Sequence, residues 1–154
     1  CRANGGKIIF DNNYRPRLWQ SREEAQSAYQ AMLAHTDIAF LTLDDETLLW
    51  GEADSAEVIR RTRAAGVQEI VIKRGAAACL VDTGAEPLLE IPAVRLSADS
   101  VVDPTAAGDS FSTSYLAVRL TGGTSEEAAK RGHLTASTVI QHRGAIIPRE
   151  AMPV

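Results

Sequence analysis

The nine residues Asp103-Pro104-Thr105-Ala106-Ala107-Gly108-Asp109-Ser110-Phe111 decide how this chain is read. A polar turn runs through small residues into an apolar-periodic helix with an aspartate in its first turn. The first backbone N–H groups of a helix have no intrahelical partner. Side chains as small as Ala106, Ala107 and Gly108 leave them open to an anion such as phosphate. Charge alone makes Asp109 a poor neighbour for that anion, but its carboxylate is well placed to take a proton from a hydroxyl beside it. An anion hole with a base at its edge points to phosphoryl transfer.

Outward from this stretch, strand-like and helix-like patterns alternate. Residues 7–11 predict a buried strand that ends in an acidic residue. Ser21 and Glu24 have the spacing of a capping box and open a helix to about residue 35. Residues 37–42 predict a second strand, 46–50 a short helix closed by Gly51, and 54–65 a helix closed by Gly66. Strands follow at 69–73, 78–82 and 87–91, the last two paired across Thr83-Gly84. Two long helices, at 107–120 and about 125–142, are separated by Gly122-Gly123.

Such alternation predicts an α/β fold with parallel strands, right-handed crossovers and helices on both faces. Ligands of these sheets bind beyond the carboxyl ends of the strands. Residues 11–15, 73–75 and 103–109 each follow a predicted strand, so their convergence on one edge is expected.

The chain has 154 residues, 45% of them hydrophobic and 23% charged, enough for one domain with its own core over 1–154. A net charge of −4 argues against general binding to nucleic acid or a membrane surface. Local donors must therefore hold any anionic ligand. There is no secretory pattern and no long apolar run, and Cys1 and Cys79 lack metal-ligand spacing. A reducing cytoplasm is the default expectation, with Cys79 as a small buried strand residue.

Other residues admit two readings. Arg15 leaves a strand in a dense polar cluster, where it either holds a carboxylate or phosphate through its fork or belongs to a solvated loop. Lys73-Arg74-Gly75 ends a strand in a turn that suits a nucleotide phosphate or is an ordinary turn, and it lacks the spacing of a Walker loop. Asp44 and Asp45 read as charges at a helix start, Asp103 and Thr105 as turn and cap residues, and His133 as a packed or surface histidine.

Residues 103–111 resemble the second signature of the ribokinase-like, PfkB-type carbohydrate kinases, Asp-x-x-small-small-Gly-Asp. Residues 11–19 are similar to the Asp-x-Asn-x-Arg-x-x-Leu-Trp of the 2-keto-3-deoxygluconate kinases within that family. The resemblance implies a ribokinase-like parallel-sheet αβα sandwich. It covers the second half of a family member, so the amino-terminal strands and a β lid are expected to be missing. Residues 1–154 would then be the carboxyl-terminal, ATP-binding and catalytic part.

The implied activity is ATP-dependent phosphorylation of 2-keto-3-deoxygluconate to its 6-phosphate, with ATP and Mg²⁺. Asp109 is the implied base, Ala106, Ala107 and Gly108 the anion hole, and Arg15 with Asp109 the substrate contacts. Asn13, Tyr14 and Arg15 are implied to lie near the transferred phosphate. Lys73, Arg74, Gly75 and Ala78 are implied to line the ATP site, with Ala78 where a Lys-x-Gly-x-x-Gly turn has its last glycine. His133 is implied to border the adenine as a pocket wall.

Residues 42–45 stand where relatives carry Asn-x-x-Glu, which makes Asp45 the implied indirect Mg²⁺ organiser. Asp103 and Thr105, with Gly144-Ala145, are implied to hold a monovalent cation such as K⁺. Thr113 and Ser114 replace the usual small residues and are expected to face the helix interior. No nucleic-acid or membrane partner is expected, and a homo-oligomer is compatible with the pattern. Three other readings stay open: a kinase for a neutral sugar or nucleoside, a non-catalytic nucleotide-binding fragment, and a structural remnant that self-associates through an exposed sheet edge.

Overall fold

The apolar runs of the first ninety residues assemble into one sheet in the order β1-β2-β3-β4-β5. The strands are β1 Ile9–Asp11, β2 Ile38–Thr42, β3 Glu69–Lys73, β4 Cys79–Asp82 and β5 Leu89–Ile91. The computed structural model describes residues 2–51 and 54–153, so Cys1 lies outside the described residues. β1, β2 and β3 are parallel, with Ile9 opposite Ile38 and Phe40 opposite Val71. β4 runs antiparallel to β3, with Val71 opposite Val81. The sheet is thus mixed rather than all-parallel, because the turn at 74–78 is too short for the crossover that a parallel neighbour requires.

The chain divides into two compact units, residues 1–75 with 80–90, and residues 76–79 with 91–154. In the first unit, α1 (Arg22–Leu33), α2 (Leu43–Trp50) and α3 (Ser55–Ala64) accompany the strands. Ile38 to Leu41 of β2 are buried without alternation, as expected of a strand covered on both faces. One core cluster joins Leu33, Ala39, Leu41, Val58, Val67, Ile70, Ile72 and Leu80. Each such aliphatic side chain contributes about 1.5–3 kcal/mol when fully buried. A second cluster is aromatic, with Tyr14, Tyr29 and Leu49 packed against Phe10, Trp19 and Trp50.

Two details depart from the local pattern. α2 begins at Leu43 directly from β2, three residues early, which puts Asp44, Asp45 and Glu46 in its first turn where the helix dipole favours carboxylates. At α1, Ser21 Oγ accepts from the Glu24 N–H as a cap should. The Glu24 carboxylate, however, accepts from the Gln20 N–H at 3.0 Å, one residue before the cap.

The second unit is built on α4 (Ala107–Leu120) and α5 (Ser125–Val139). Thr124 and Glu127 form a reciprocal capping box at the start of α5. The helices approach closely at Gly132, where a Cβ would stand 2.8 Å from Phe111 Cδ2 and 3.0 Å from the Phe111 carbonyl oxygen. α5 ends at Val139, earlier than its apolar period suggests. The Ile140 carbonyl there accepts from the N–H groups of Val102 and Asp103 at 2.8 and 3.1 Å, so the preceding loop satisfies the helix end.

Candidate functional site

The start of α4 is an unusual backbone. Ala106 sits in the left-handed region at φ 61°, ψ 15°, immediately before the helical Ala107. A left-handed residue followed by a right-handed one turns successive N–H groups toward a common point, a concavity that suits an anion. The Ala107 N–H donates back to the Pro104 carbonyl at 3.2 Å, and the first intrahelical bond runs from Ser110 to Ala106 at 2.9 Å. Between them, the Gly108 and Asp109 N–H groups precede any intrahelical acceptor. The Asp109 side chain is exposed in the same turn.

Asp103 braces this start. Its Oδ1 accepts from the Thr105 N–H and its Oδ2 from the Gly144 N–H, both at 2.9 Å. Hydrogen bonds from the Thr105 side chain and from the Gly144 and Thr105 N–H groups hold the Asp103 carboxyl down to about 2.

A cleft of about 410 Å³ opens beside Asp109, lined by Ala106, Ser110, Thr113, Ser114, Thr135, Val139 and the 145–147 segment among others. Thr113 is exposed and Ser114 half-buried, so both face this cleft and not the helix interior expected for them. The i, i+4 spacing of Asp109 and Thr113 is the signal that could have placed Thr113 here.

His133 is placed differently. It is buried, with Nε2 3.1 Å from the Ile91 carbonyl oxygen and its ring edge-on to Phe111 at 5.0 Å. Burial lowers its pKa, with the Ile91 carbonyl opposing; since a carbonyl oxygen only accepts, Nε2 donates to it. Thr135, two residues on, lines the cleft.

In the first unit, the carboxyl ends of β1, β2 and β3 bring several of the expected residues together. Lys73 Nζ lies 2.7 Å from Asp11 Oδ2, spanning β2. Arg15 Nη1 donates to the Tyr14 carbonyl at 2.8 Å and reaches Asp45 Oδ1 at 3.5 Å. Burial raises the pKa of Asp45, and the Arg15 guanidinium and the Tyr14 N–H, which donates to its carboxylate, pull it back.

Asn13 is exposed at a positive φ of 32°, whereas Tyr14 is buried against Tyr29 in the aromatic cluster. Arg74 pairs with Glu90, and Gly75 supplies a φ of 60° to the turn after β3. Ala78, in the second unit, is half-buried just before β4. Cys79 is buried in that strand.

Sequence reasoning missed the most buried polar pair here, Asn12 and Glu46, each 2% exposed. Asn12 Nδ2 donates to Glu46 Oε1 at 2.9 Å, and Glu46 also pairs with Arg61, whose guanidinium stacks 4.6 Å above the Trp50 ring. No local pattern marks this pair, since its members lie 34 positions apart. Among the described residues, no three His, Cys, Asp or Glu side chains gather as a metal cage. Among the described residues, no helix is long and apolar enough to cross a membrane.

A mixed sheet whose first three strands are parallel, followed in the chain by a helix that starts from a left-handed residue with an exposed aspartate in its first turn, defines the class of ribokinase-like α/β folds. Known proteins agree. The aminoimidazole riboside kinase of Salmonella enterica, solved with aminoimidazole riboside and an ATP analogue, superposes with a TM-score of 0.83 at 26% identity over 99% of this chain and 50% of its own. A candidate ribokinase II from Escherichia coli, solved with ATP and Mg²⁺, gives 0.82 at 26% identity over 99% and 47%.

The profile of the pfkB family carbohydrate kinases matches residues 1–152, and the chain belongs to that family. It is 71% identical over 153 residues to a 2-dehydro-3-deoxygluconokinase of Dickeya dadantii and 70% identical to one of Escherichia coli K12. These alignments cover 99% of this chain but 49% and 50% of the relatives, so the chain spans about half their length.

Proposed function

We propose that the chain is the phosphoryl-transfer part of an ATP-dependent sugar-acid kinase that converts 2-keto-3-deoxygluconate (2-dehydro-3-deoxygluconate) to its 6-phosphate. The observation that carries this reading is the left-handed Ala106 before α4, which turns N–H groups outward beside the exposed carboxylate of Asp109. The substrate class follows from the names of relatives about 70% identical across the whole chain.

Asp109 takes the proton of the attacking hydroxyl, and the N–H groups of the Ala106-Ala107-Gly108 turn that the helix start leaves open, Gly108 first among them, stabilise charge on the moving phosphoryl group. ATP would supply the phosphoryl group and Mg²⁺, when bound with it, would neutralise the triphosphate, with Asp45 as the residue that would orient its water. In the first unit, Asn13, Tyr14, Arg15, Lys73, Arg74 and Gly75, and in the second Ala78, are the candidates for contacts to ATP, and Arg15 holds the substrate carboxylate through its fork. Asp103 and Thr105 shape the loop in which a monovalent cation such as K⁺ would balance the anion hole.

A coupled ADP-release assay with 2-keto-3-deoxygluconate, run on this chain and on a full-length relative, tests the reading. Asp109→Asn in the full-length relative should cut turnover by about 10²–10⁴-fold and leave ATP affinity in place. Near-normal turnover in that variant removes Asp109 from the base role. The second reading is a nucleotide-binding part without turnover of its own. ATP-dependent thermal stabilisation of this chain without ADP release is its signature.

A further inference from the structure

We propose that Asn12, locked by Glu46, is the positioning residue that aims Arg15 and so sets the preference for a carboxylate-bearing substrate; this rests on the substrate role of Arg15 above. The Arg15 side chain is 56% exposed, and among the described residues it hydrogen-bonds through Nη1, to the Tyr14 carbonyl and to Asp45. Its Nε and Nη2 groups face no described partner, the arrangement a bidentate carboxylate needs. An exposed, lightly held guanidinium is aimed chiefly by its backbone.

That backbone is held from Asn12. The Asn12 N–H donates to the Phe40 carbonyl at 2.9 Å, and its own carbonyl accepts from the Tyr29 hydroxyl. Its side-chain Oδ1 accepts from the Asn13 N–H at 2.8 Å and the Thr42 N–H at 3.1 Å. Its Nδ2 donates to Glu46 Oε1 at 2.9 Å and leans on the Thr42 carbonyl at 3.4 Å. One buried amide therefore ties the 12–15 turn, including the left-handed Asn13, to the β2–α2 junction that carries Asp45.

Glu46 decides which way the amide faces. A carboxylate only accepts, so the Asn12 NH₂ must turn toward it and Oδ1 must turn toward the Asn13 and Thr42 N–H groups. Arg61 in turn anchors Glu46. Position 12 is unspecified in the Asp-x-Asn-x-Arg pattern, so no role reaches it through the resemblance.

The test measures binding of 2-keto-3-deoxygluconate, and of its analogue with the carboxyl reduced to an alcohol, to this chain by ¹⁵N NMR that includes the Arg15 Nε–H signal. Arg15→Ala should abolish acid binding and leave the neutral analogue unaffected. No acid binding to the unaltered chain, or no effect of Arg15→Ala, overturns the Arg15 reading and this proposal with it. Asn12→Asp presents an acceptor to Glu46 and should weaken the acid about ten-fold, the scale of one mispaired hydrogen bond to a charged group, while sparing the neutral analogue.

Asn12→Asp/Glu46→Gln restores the donor–acceptor match and should recover both the acid affinity and the Arg15 signal. If Asn12→Asp does not fold, the double variant alone reads the proposal, by keeping or losing acid preference. Equal loss of both ligands without rescue, or unchanged acid affinity in Asn12→Asp while Arg15→Ala abolishes it, overturns the positioning role alone.

Discussion

Gly132→Ala tests whether the close approach of α4 and α5 holds the second unit together. Two effects oppose. Alanine improves the helix by about 1 kcal/mol over glycine in an interior position. Its methyl, however, would stand 2.8 and 2.9 Å from Phe111 Cδ2 and Cε2 and 3.0 Å from the Phe111 carbonyl oxygen. Comfortable carbon contacts are about 3.5–4.0 Å, so the helices must part by more than half an ångström, or Phe111 must move.

Phe111 cannot swing easily, being 4% exposed, stacked on Tyr115 at 6.1 Å and edge-on to His133 at 5.0 Å. The carbonyl cannot move without α4. Overpacking of this kind costs about 1–3 kcal/mol, and with a backbone carbonyl as well as a buried ring in the way the upper part of that range, about 2–3 kcal/mol, applies and exceeds the propensity gain by about 1–2 kcal/mol. A chain of this size should then melt about 2–8 °C lower, followed by circular dichroism at 222 nm. Phe111→Ala in the same background removes the ring and should shrink the added cost, a coupling visible in a double-mutant cycle. A Gly132→Ala protein that melts at or above the unaltered one refutes the reasoning.

Two further outcomes follow from charges. Arg61→Met removes the cation paired with the Glu46 carboxylate, whose side chain is 3% exposed, and leaves it the Asn12 amide; it should cost about 3 kcal/mol in urea unfolding, the low end for a broken buried pair. Arg60→Met, on the same helix but pairing with Glu57 from a 71% exposed side chain, should cost at most about 1 kcal/mol. Similar costs for the two would dismiss the buried pair. Asp103 titrates at about 2 when folded, below the roughly 3.9 of an unfolded aspartate. Its contribution is therefore present above pH ~4 and lost as pH falls through about 2, and Asp103→Asn should remove that acid dependence. A ¹³C carboxyl midpoint near 4 in the folded chain would contradict it.

Much of the fold was legible because its signals are local. Apolar runs, the caps at Ser21 and Thr124 and the glycine stops act within three or four residues, the reach of a helical turn. The turn into α4 was legible for the same reason, since Ala106 to Asp109 shape their own backbone turn. The 71% identity to a named relative over nearly the whole chain bears out the family reading that began at residue 103.

What local pattern could not supply are pairings across the sheet. Arg15 meets Asp45 and Asn12 meets Glu46 at separations of 30 and 34 residues, and Lys73 meets Asp11 across 62. Nothing in a window of neighbours distinguishes a charge that will be buried opposite a partner from one that will face water. Those choices arise only when parallel strands in register bring their carboxyl ends together, and when two helices close on a glycine. Local sequence was enough to set most of the elements and the turn that opens α4. Tertiary structure alone decided which polar groups are tied down, because desolvation acts on the assembled neighbourhood and not on the order of residues along the chain.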